Sequence, residues 1–309
     1  MRRYGLTLIE LLVVLGIMSL LMAITIPAIQ RIREAANRLQ CASNMRQIGL
    51  ACHHYHADRG RLPYSQLGNE FAGAGASNPL WGANSQSWSW LAKLLPYVEQ
   101  QSIFNIGDIP NKTLRMSGVA AARIPLFLCP SDLAYHAPPL KDAGNLPDFP
   151  VGLANYKGVS GSNWGYDSTQ DLWFQTPFKH QGVNGSYDGK MEGDGILCRN
   201  DHLRKPRLDQ IYDGQSNTFM IGEDIPSKNR WVSWPYANNA HGTCAIPPNL
   251  DYPDPQVWYY TWSFRSRHPG GLQFCMADGS VHFIRSTISL DLYRALSTRH
   301  GGETVQLDD

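Results

Sequence analysis

The sequence predicts an α+β protein in which one long N-terminal helix packs on a globular domain built around an antiparallel sheet. Three features indicate this class. An almost wholly apolar run from Leu6 to Ile29 leads into a segment of helical periodicity. Short alternating apolar runs follow later in the chain, and one pair of them flanks Asp278-Gly279. The 309 residues are 43% hydrophobic, which is enough to enclose a core.

The charge balance excludes one class of partner. The chain has 27 Lys and Arg against 26 Asp and Glu, a formal net charge of +1, and it has no block of basic residues. A nucleic-acid-binding surface requires clustered Lys and Arg. We therefore expect no nucleic-acid partner.

The N-terminal run is long enough to cross a membrane. About 20 apolar residues span a bilayer as a helix, and the segment 6–29 contains one ionisable side chain, Glu10. Arg2 and Arg3 precede the run, so the positive-inside rule places the N-terminus in the cytoplasm. The expected location is a single pass of the inner membrane, with the globular domain exported to the periplasm or cell surface.

Glu10 separates the explanations for this run. A cleaved signal peptide has an apolar core of about 7–15 residues and an A-x-A-like cleavage site, whereas the run here is longer and lacks a clear site. A simple uncleaved anchor has the right length. Neither explains a carboxylate in lipid, which costs about 3 kcal/mol on insertion scales.

Residues 5–10, Gly-Leu-Thr-Leu-Ile-Glu behind a short basic leader, resemble the prepilin-type cleavage and methylation motif of type IV pilins and type II secretion pseudopilins. The resemblance implies that a prepilin peptidase removes the leader 1–5 by cutting between Gly5 and Leu6 and then methylates Leu6. Leu stands where Phe is commoner. Glu10 becomes the fifth residue of the mature chain, the position of the family's glutamate.

The resemblance also implies a role for Glu10. Cleavage leaves a positively charged α-amine on Leu6, and a carboxylate in lipid requires a compensating group. In the family, the glutamate is thought to meet the amine of a neighbouring subunit. Glu10 is therefore expected to be an assembly residue. The expected partners are the prepilin peptidase, the membrane, further copies of the chain and other pilin-like subunits.

The helix is predicted to continue beyond the membrane as an amphipathic segment over 30–58. We expect one helix from about Leu6 to His56, kinked at Pro27 and ended by Gly60 to Pro63, that packs on the exported domain 59–309. Its packing face is expected to consist of apolar residues that recur at spacings of three and four: Ile29, Ile32, Ala36, Leu39, Met45, Ile48, Cys52 and Tyr55.

The globular domain is predicted from shorter signals. Asp278-Gly279 is a preferred type I′ turn, and a hairpin there would place Leu272, Phe274 and Met276 on one face. The expected elements are an interrupted helix or two short helices in 87–104, a strand and turn in 124–132, a short strand in 154–162, a loop-rich insertion near 163–200, a strand over Thr218–Glu223, loops over 224–256, the hairpin over 270–284 and a helix from about Ser289 to Thr298.

Five ordered segments resemble one particular family. They look like a large family of prepilin-type proteins, known mainly from planctomycete-type bacteria, whose globular part is a domain of unknown function. Its C-terminal signature is His, nine residues, then Asp-Gly, here His268, Asp278 and Gly279. The segments are NMRQIGLACHHYHADRGRLP (44–63), LAKLLPYVEQQSIFN (91–105), FLCPSD (127–132), YDGQSNTFMIGE (212–223) and SRHPGGLQFCMADGSVHF (266–283).

The signature is not expected to be catalytic. Ten residues of strand span about 33 Å, whereas a His-Asp dyad requires about 3 Å between the two side chains. Asp278-Gly279 is therefore interpreted as a turn, and His268 as a capping or packing residue at the surface. The sequence contains no G-x-S-x-G or other catalytic motif. We expect the protein not to be an enzyme.

No cofactor is expected. Asp213 and Asn217 in DGQSN are candidate calcium ligands, because the major pseudopilins of type II secretion bind calcium in a C-terminal loop, but the segment lacks the regular acidic spacing of a calcium loop. His53 and His56 could share a metal, although exposed histidines at a helix end are the expected reading.

The six cysteines lie on the side expected to be exported, where disulfides form. The absence of any C-x-x-C pair argues against a structural zinc site. Cys41 and Cys52 lie about 16 Å apart on one helix, which is too far for a disulfide between them. The other pairings stay open.

These observations predict a structural pilin-like or pseudopilin-like subunit, processed by prepilin peptidase and assembled into a type II secretion-like or type IV pilus-like filament. The alternative is a membrane-anchored surface module that binds a ligand or glycan and uses the motif only for export. An anchor alone has no use for Glu10, so this residue discriminates between the two.

Overall fold

The computed structural model describes residues 8–66, 82–163, 193–199, 201–202, 204–250 and 258–303. The predicted cleavage site, Gly5-Leu6, and most of the predicted insertion near 163–200 lie outside the described residues. The fold is α+β, as predicted: a long N-terminal helix packs on a domain that contains a sheet.

Helix α1 runs from Leu8 to Arg59 and contains Pro27 without ending there. Its end agrees with the prediction. Gly60 has a φ of +67° and its N–H donates to the His56 carbonyl, which is a common way for glycine to close a helix. The part of α1 near the N-terminus is apolar and exposed, and by length and composition α1 is able to cross a membrane.

The packing face of α1 is shorter than predicted. Ile29, Ile32 and Leu39 are 62%, 70% and 70% exposed, and Ala36 is exposed as well. The same three-and-four spacing describes a face that meets lipid, another subunit or a core, so periodicity identifies the face and not how far the domain reaches along it. The buried residues begin at Cys41: Cys41, Asn44, Met45, Ile48, Gly49, Ala51, Cys52 and Tyr55.

Within the described residues, five strands form one sheet in the order β3-β1-β2-β4-β5. Strands β1 and β3 are parallel and the other neighbours are antiparallel, so the sheet is mixed where an antiparallel one was predicted. The two-residue β3 lies in a stretch predicted as loop, because two residues carry no periodicity. The strands are β1 (Tyr156–Val159), β2 (Phe219–Glu223), β3 (His241–Gly242), β4 (Gly271–Met276) and β5 (Val281–Arg285).

The predicted interrupted helix in 87–104 consists of two short helices separated by a 3-10 turn at Leu95–Val98. The predicted strand in 124–132 is wrong. Pro125–Phe127 forms a 3-10 turn, because Pro125 sets the φ of a first helical position and lacks an N–H to donate to a sheet. The other α-helices among the described residues are α2 (Trp90–Leu94), α3 (Gln101–Gly107), α4 (Leu114–Ser117) and α5 (Leu290–Ala295), of which α5 begins after Ser289 as predicted.

The sheet carries α1 on one face and α5 on the other. Leu272, Phe274 and Met276 share a buried cluster with Tyr293 of α5. The alternate residue Cys275 faces α1, where a Cβ added at Gly49 would lie 2.6 Å from its sulfur. Gly49 therefore permits the close approach of α1 to β4.

The β4–β5 hairpin is present, but its turn differs from the predicted type I′. Gly279 N–H donates to the Met276 carbonyl at 3.0 Å, and Gly279 has a φ of +87° whereas Asp278 is not in the positive-φ region. This is the pattern of a type I turn followed by a left-handed glycine. Asp278 Oδ1 accepts hydrogen bonds from the N–H and hydroxyl of Ser280. Asp-Gly favours both turn types, so the dipeptide alone did not separate them.

Candidate functional site

The candidate site is the junction where α1 meets the end of β2 and the loop before β4. His268 lies in that loop, and its side chain is fully buried. Its Nδ1 lies 2.5 Å from Glu34 Oε1 of α1, and its Nε2 lies 3.5 Å from Glu223 Oε1 at the end of β2. The imidazole therefore connects a carboxylate of the long helix to a carboxylate of the sheet.

The two carboxylates change the protonation of His268. Burial alone would lower the pKa of the imidazole, but Glu223 and Glu34 stabilise its charged form and raise the pKa above its ordinary value. A positive charge on His268 partly compensates the two negative charges that meet it in this poorly solvated place.

A disulfide lies next to the imidazole. Cys41 of α1 is bonded to Cys129 of the body, with 5.4 Å between their Cα atoms, and Cys129 Sγ lies 3.6 Å from His268 Nε2. This bond selects one of the pairings that spacing left open, and Cys41 and Cys52 do not pair. The other four cysteines are free and buried: Cys52, Cys198, Cys244 and Cys275.

Further polar contacts hold about three turns of α1, from Glu34 to Asn44, to the body. Glu34 Oε2 accepts from the Ser131 hydroxyl at 2.8 Å. Gln273 donates from its side chain to the Arg38 carbonyl at 2.7 Å, and Asn44 donates to the Leu128 carbonyl at 3.1 Å. The junction thus combines a covalent bond, an imidazole between two carboxylates and further hydrogen bonds.

An open groove of about 430 Å³ adjoins the junction. It lies between α1 and Pro269, and its lining on α1 begins at Pro27, near the end of the apolar run 6–29. Both charge signs are present on its wall. The lining residues are Pro27, Gln30, Arg31, Glu34, Ala35, Arg38 and Pro269.

The structure does not bring the signature residues together. His268 precedes β4, whereas Asp278 and Gly279 follow it. Asp278 is used within the hairpin turn. The predicted placement of His268 at the surface is wrong, because the residue is 3% exposed and meets two carboxylates. No local pattern identifies those partners, since Glu34 and His268 are 234 positions apart.

The candidate calcium ligands serve the C-terminal segment. Asp213 accepts hydrogen bonds from the N–H groups of Gly301 and Gly302 at 2.6 and 2.9 Å and from the Thr298 hydroxyl at 3.1 Å. Asn217 closes a 3-10 turn and donates its N–H to the Gly214 carbonyl. These donors direct hydrogens at the Asp213 oxygens, which gives the carboxylate a structural role.

Other buried polar groups belong to the core. Lys157 and Asp224, both fully buried, form an ion pair at 2.5 Å. His241 lies between the Ser65 hydroxyl and the Leu197 carbonyl, and burial lowers the pKa of His241 to about 3, so its imidazole is neutral. Neither Lys157 nor His241 lines the groove.

Two family comparisons match the chain. Residues 1–26 match the prokaryotic N-terminal methylation motif, which agrees with the predicted prepilin-type segment. Such a motif implies processing by a prepilin peptidase and association with the membrane, so the protein is prepilin-like. No curated protein and no solved structure matches the chain.

The second match covers the globular part. Residues 30–291 match the family described as protein of unknown function (DUF1559), which is well over half of the 309 residues. The predicted resemblance to prepilin-type proteins with an uncharacterised globular domain is thereby confirmed. The chain belongs to this family of proteins of unknown function, DUF1559, and carries the prokaryotic N-terminal methylation motif at its start.

Proposed function

We propose that the protein is a structural pilin-like subunit that assembles with like subunits into a type II secretion-like or type IV pilus-like filament. One observation carries the proposal. The methylation motif, residues 1–26, overlaps the start of a 52-residue helix whose residues 8–33 are all exposed, while the C-terminal part of the helix packs on the body. An anchor that is continuous with the body is suited to position that body in an assembly.

The apolar half of α1 explains why assembly is favourable. A carboxylate in the bilayer is costly, by about 3 kcal/mol on insertion scales, and Glu10 lies in this half. The α-amine produced by cleavage before Leu6 carries the opposite charge. A neighbouring subunit in register would place this amine beside Glu10 and lower the cost of both groups.

The junction supports the same function. The disulfide and the Glu34–His268 contact fix α1 to the body at the start of its packed segment, on the side of the membrane-spanning part. A displacement of the helix is therefore passed to the body without a flexible linker. Disulfides persist in oxidising compartments, which agrees with an exported body and a cytoplasmic N-terminus.

The alternative of a glycan-binding surface module receives less support. Aromatic side chains that stack on sugars must be exposed. Among the tryptophans whose side chains the structure describes, Trp88, Trp90, Trp234 and Trp262 are buried, and Trp231 is half-buried. The described part of the surface thus presents no exposed tryptophan for such a platform.

Glu10→Val tests the proposal, with Thr25→Val as the matched control. Both changes replace a polar side chain by Val in the apolar half of α1, but only the first removes the charge. We expect both variants to be inserted and cleaved, and only Glu10→Val to be lost from the sheared filament fraction and from cross-links between subunits. Assembly of Glu10→Val at the wild-type level would contradict the proposal and favour the simple anchor.

A further inference from the structure

Four potential metal ligands converge at the junction. The sulfurs of Cys41 and Cys129, a ring nitrogen of His268 and a carboxylate oxygen of Glu223 all lie within 4.8 Å of one another, and all four residues are buried. Two sulfurs, an imidazole nitrogen and one carboxylate oxygen form a ligand set that suits zinc. The residues are far apart in sequence, so the absence of a C-x-x-C pair does not bear on this cluster.

The separations fit a tetrahedral site. Zinc bonds of about 2.3 Å to sulfur and about 2.0–2.1 Å to nitrogen or oxygen place neighbouring ligand atoms about 3.3–3.8 Å apart. Here His268 Nε2 lies 3.6 Å from Cys129 Sγ and 3.5 Å from Glu223 Oε1. Once the disulfide is broken, the two sulfurs are free to separate to the same range.

A second observation points to a ligand. Glu223 is 2% exposed, and its Oε1 faces the cluster, where His268 Nε2 lies 3.5 Å away, beyond the usual hydrogen-bond range. Its other oxygen is fixed by the Gln273 N–H at 2.8 Å. A buried carboxylate oxygen without a close donor is only partly compensated, and a zinc ion would meet it at about 2.0–2.2 Å.

The surroundings orient the imidazole as zinc sites do. Zinc-bound histidines commonly donate their second ring N–H to a carboxylate, which fixes the ring and its tautomer. Glu34 Oε1 lies 2.5 Å from His268 Nδ1, which leaves Nε2 directed at the two sulfurs and Glu223. Glu34 is itself fixed by the Ser131 hydroxyl.

We propose that the reduced protein binds one zinc ion through Cys41, Cys129, His268 and Glu223, and that the disulfide is the oxidised, metal-free state of the same junction. A dithiol reductant supplies two electrons and two protons, the sulfur–sulfur bond breaks to give two thiols, and the reductant becomes a disulfide. Zinc then binds as the two thiols release two protons and the charged imidazole of His268 releases a third from Nε2. In both states α1 stays attached to the body.

Cobalt and zinc binding to the full-length protein in detergent test this proposal. Cobalt added to the phosphine-reduced protein without oxygen should give thiolate charge-transfer absorption and the intense visible bands of tetrahedral coordination, and zinc should abolish both. Metal analysis should find about one zinc ion per reduced chain and almost none on the oxidised chain. An absence of thiolate absorption, or equal zinc on oxidised protein, would overturn the proposal.

Variants separate this cluster from the other thiols. Cys41→Ser should abolish the thiolate bands, whereas Cys275→Ser, at a buried cysteine elsewhere, should retain them. Glu34→Gln changes a partly exposed residue that does not touch the metal, and should weaken zinc binding about 10–100-fold. Thiolate bands that need Cys275 and not Cys41, or wild-type affinity in Glu34→Gln, would place the metal elsewhere.

Discussion

Gly49→Ala is the sharpest test of how α1 packs on the sheet. At a solvent-exposed position inside a helix, replacing Gly by Ala stabilises the folded protein by about 1 kcal/mol, because glycine is a poor helix former. At Gly49 the new Cβ would lie 2.6 Å from Cys275 Sγ, 3.6 Å from the Gly279 backbone and 4.0 Å from Met220. Overpacking a dense core costs about 1–3 kcal/mol. The cost should exceed the gain, and Gly49→Ala should destabilise by up to about 2 kcal/mol.

The double variant Gly49→Ala/Cys275→Ala isolates the contact. Removing the sulfur vacates the space that the methyl group needs, so the two changes should couple favourably by at least about 1 kcal/mol. Gly16→Ala is the control, since a Cβ there meets nothing within 4 Å. It should alter the stability of the body by less than about 0.5 kcal/mol.

The assay is reversible denaturant unfolding of the full-length protein in mild detergent, followed by tryptophan fluorescence with the disulfide intact. A Gly49→Ala variant more stable than wild type, or additive effects of Gly49→Ala and Cys275→Ala, would refute the close approach of α1 to β4.

Two further predictions concern stability. His241 has a folded pKa of about 3, below its unfolded value, so its burial contributes stability above pH 6.5 that is lost as the pH falls. By pH 5 the loss in unfolding free energy is about 2 kcal/mol. Denaturant unfolding at pH 7.5 and pH 5 should show this loss in wild type and in the exposed-site control His54→Gln, but not in His241→Gln. An equal acid loss in His241→Gln would show that the imidazole is not buried neutral. Gly279→Val should lower the unfolding free energy by about 1–3 kcal/mol, because a β-branched residue is strained at the positive φ of this position. Gly279→Asn should lower it less, because Asn adopts positive φ more readily. Equal melting temperatures for the two variants would exclude strain at this turn.

The elements predicted correctly from the sequence are those whose signal lies within a few neighbouring residues. The length of α1, its end at Gly60, strand β2, the β4–β5 hairpin and the start of α5 near Ser289 each follow from neighbouring residues. Hydrophobic periodicity, turn residues and helix caps are local properties, so they can be predicted from a single sequence.

The junction could not be predicted for the opposite reason. Glu34, Cys129, Glu223 and His268 come from four separate segments, and Cys41 and Cys129 are 88 positions apart. A single carboxylate on an amphipathic helix is usually a solvated residue. Only the packing of α1 against the sheet reveals that Glu34 faces a buried imidazole.

The mass of the native N-terminus tests the central claim most directly. The protein should be purified from membranes in detergent, and its N-terminal peptide should be identified by mass spectrometry. The account predicts a chain that begins at Leu6 and carries one N-methyl group, and a Gly5→Ala variant that keeps its leader. A mature chain that begins at Met1, or beyond residue 20, would contradict processing as a prepilin and with it the proposed assembly through Glu10.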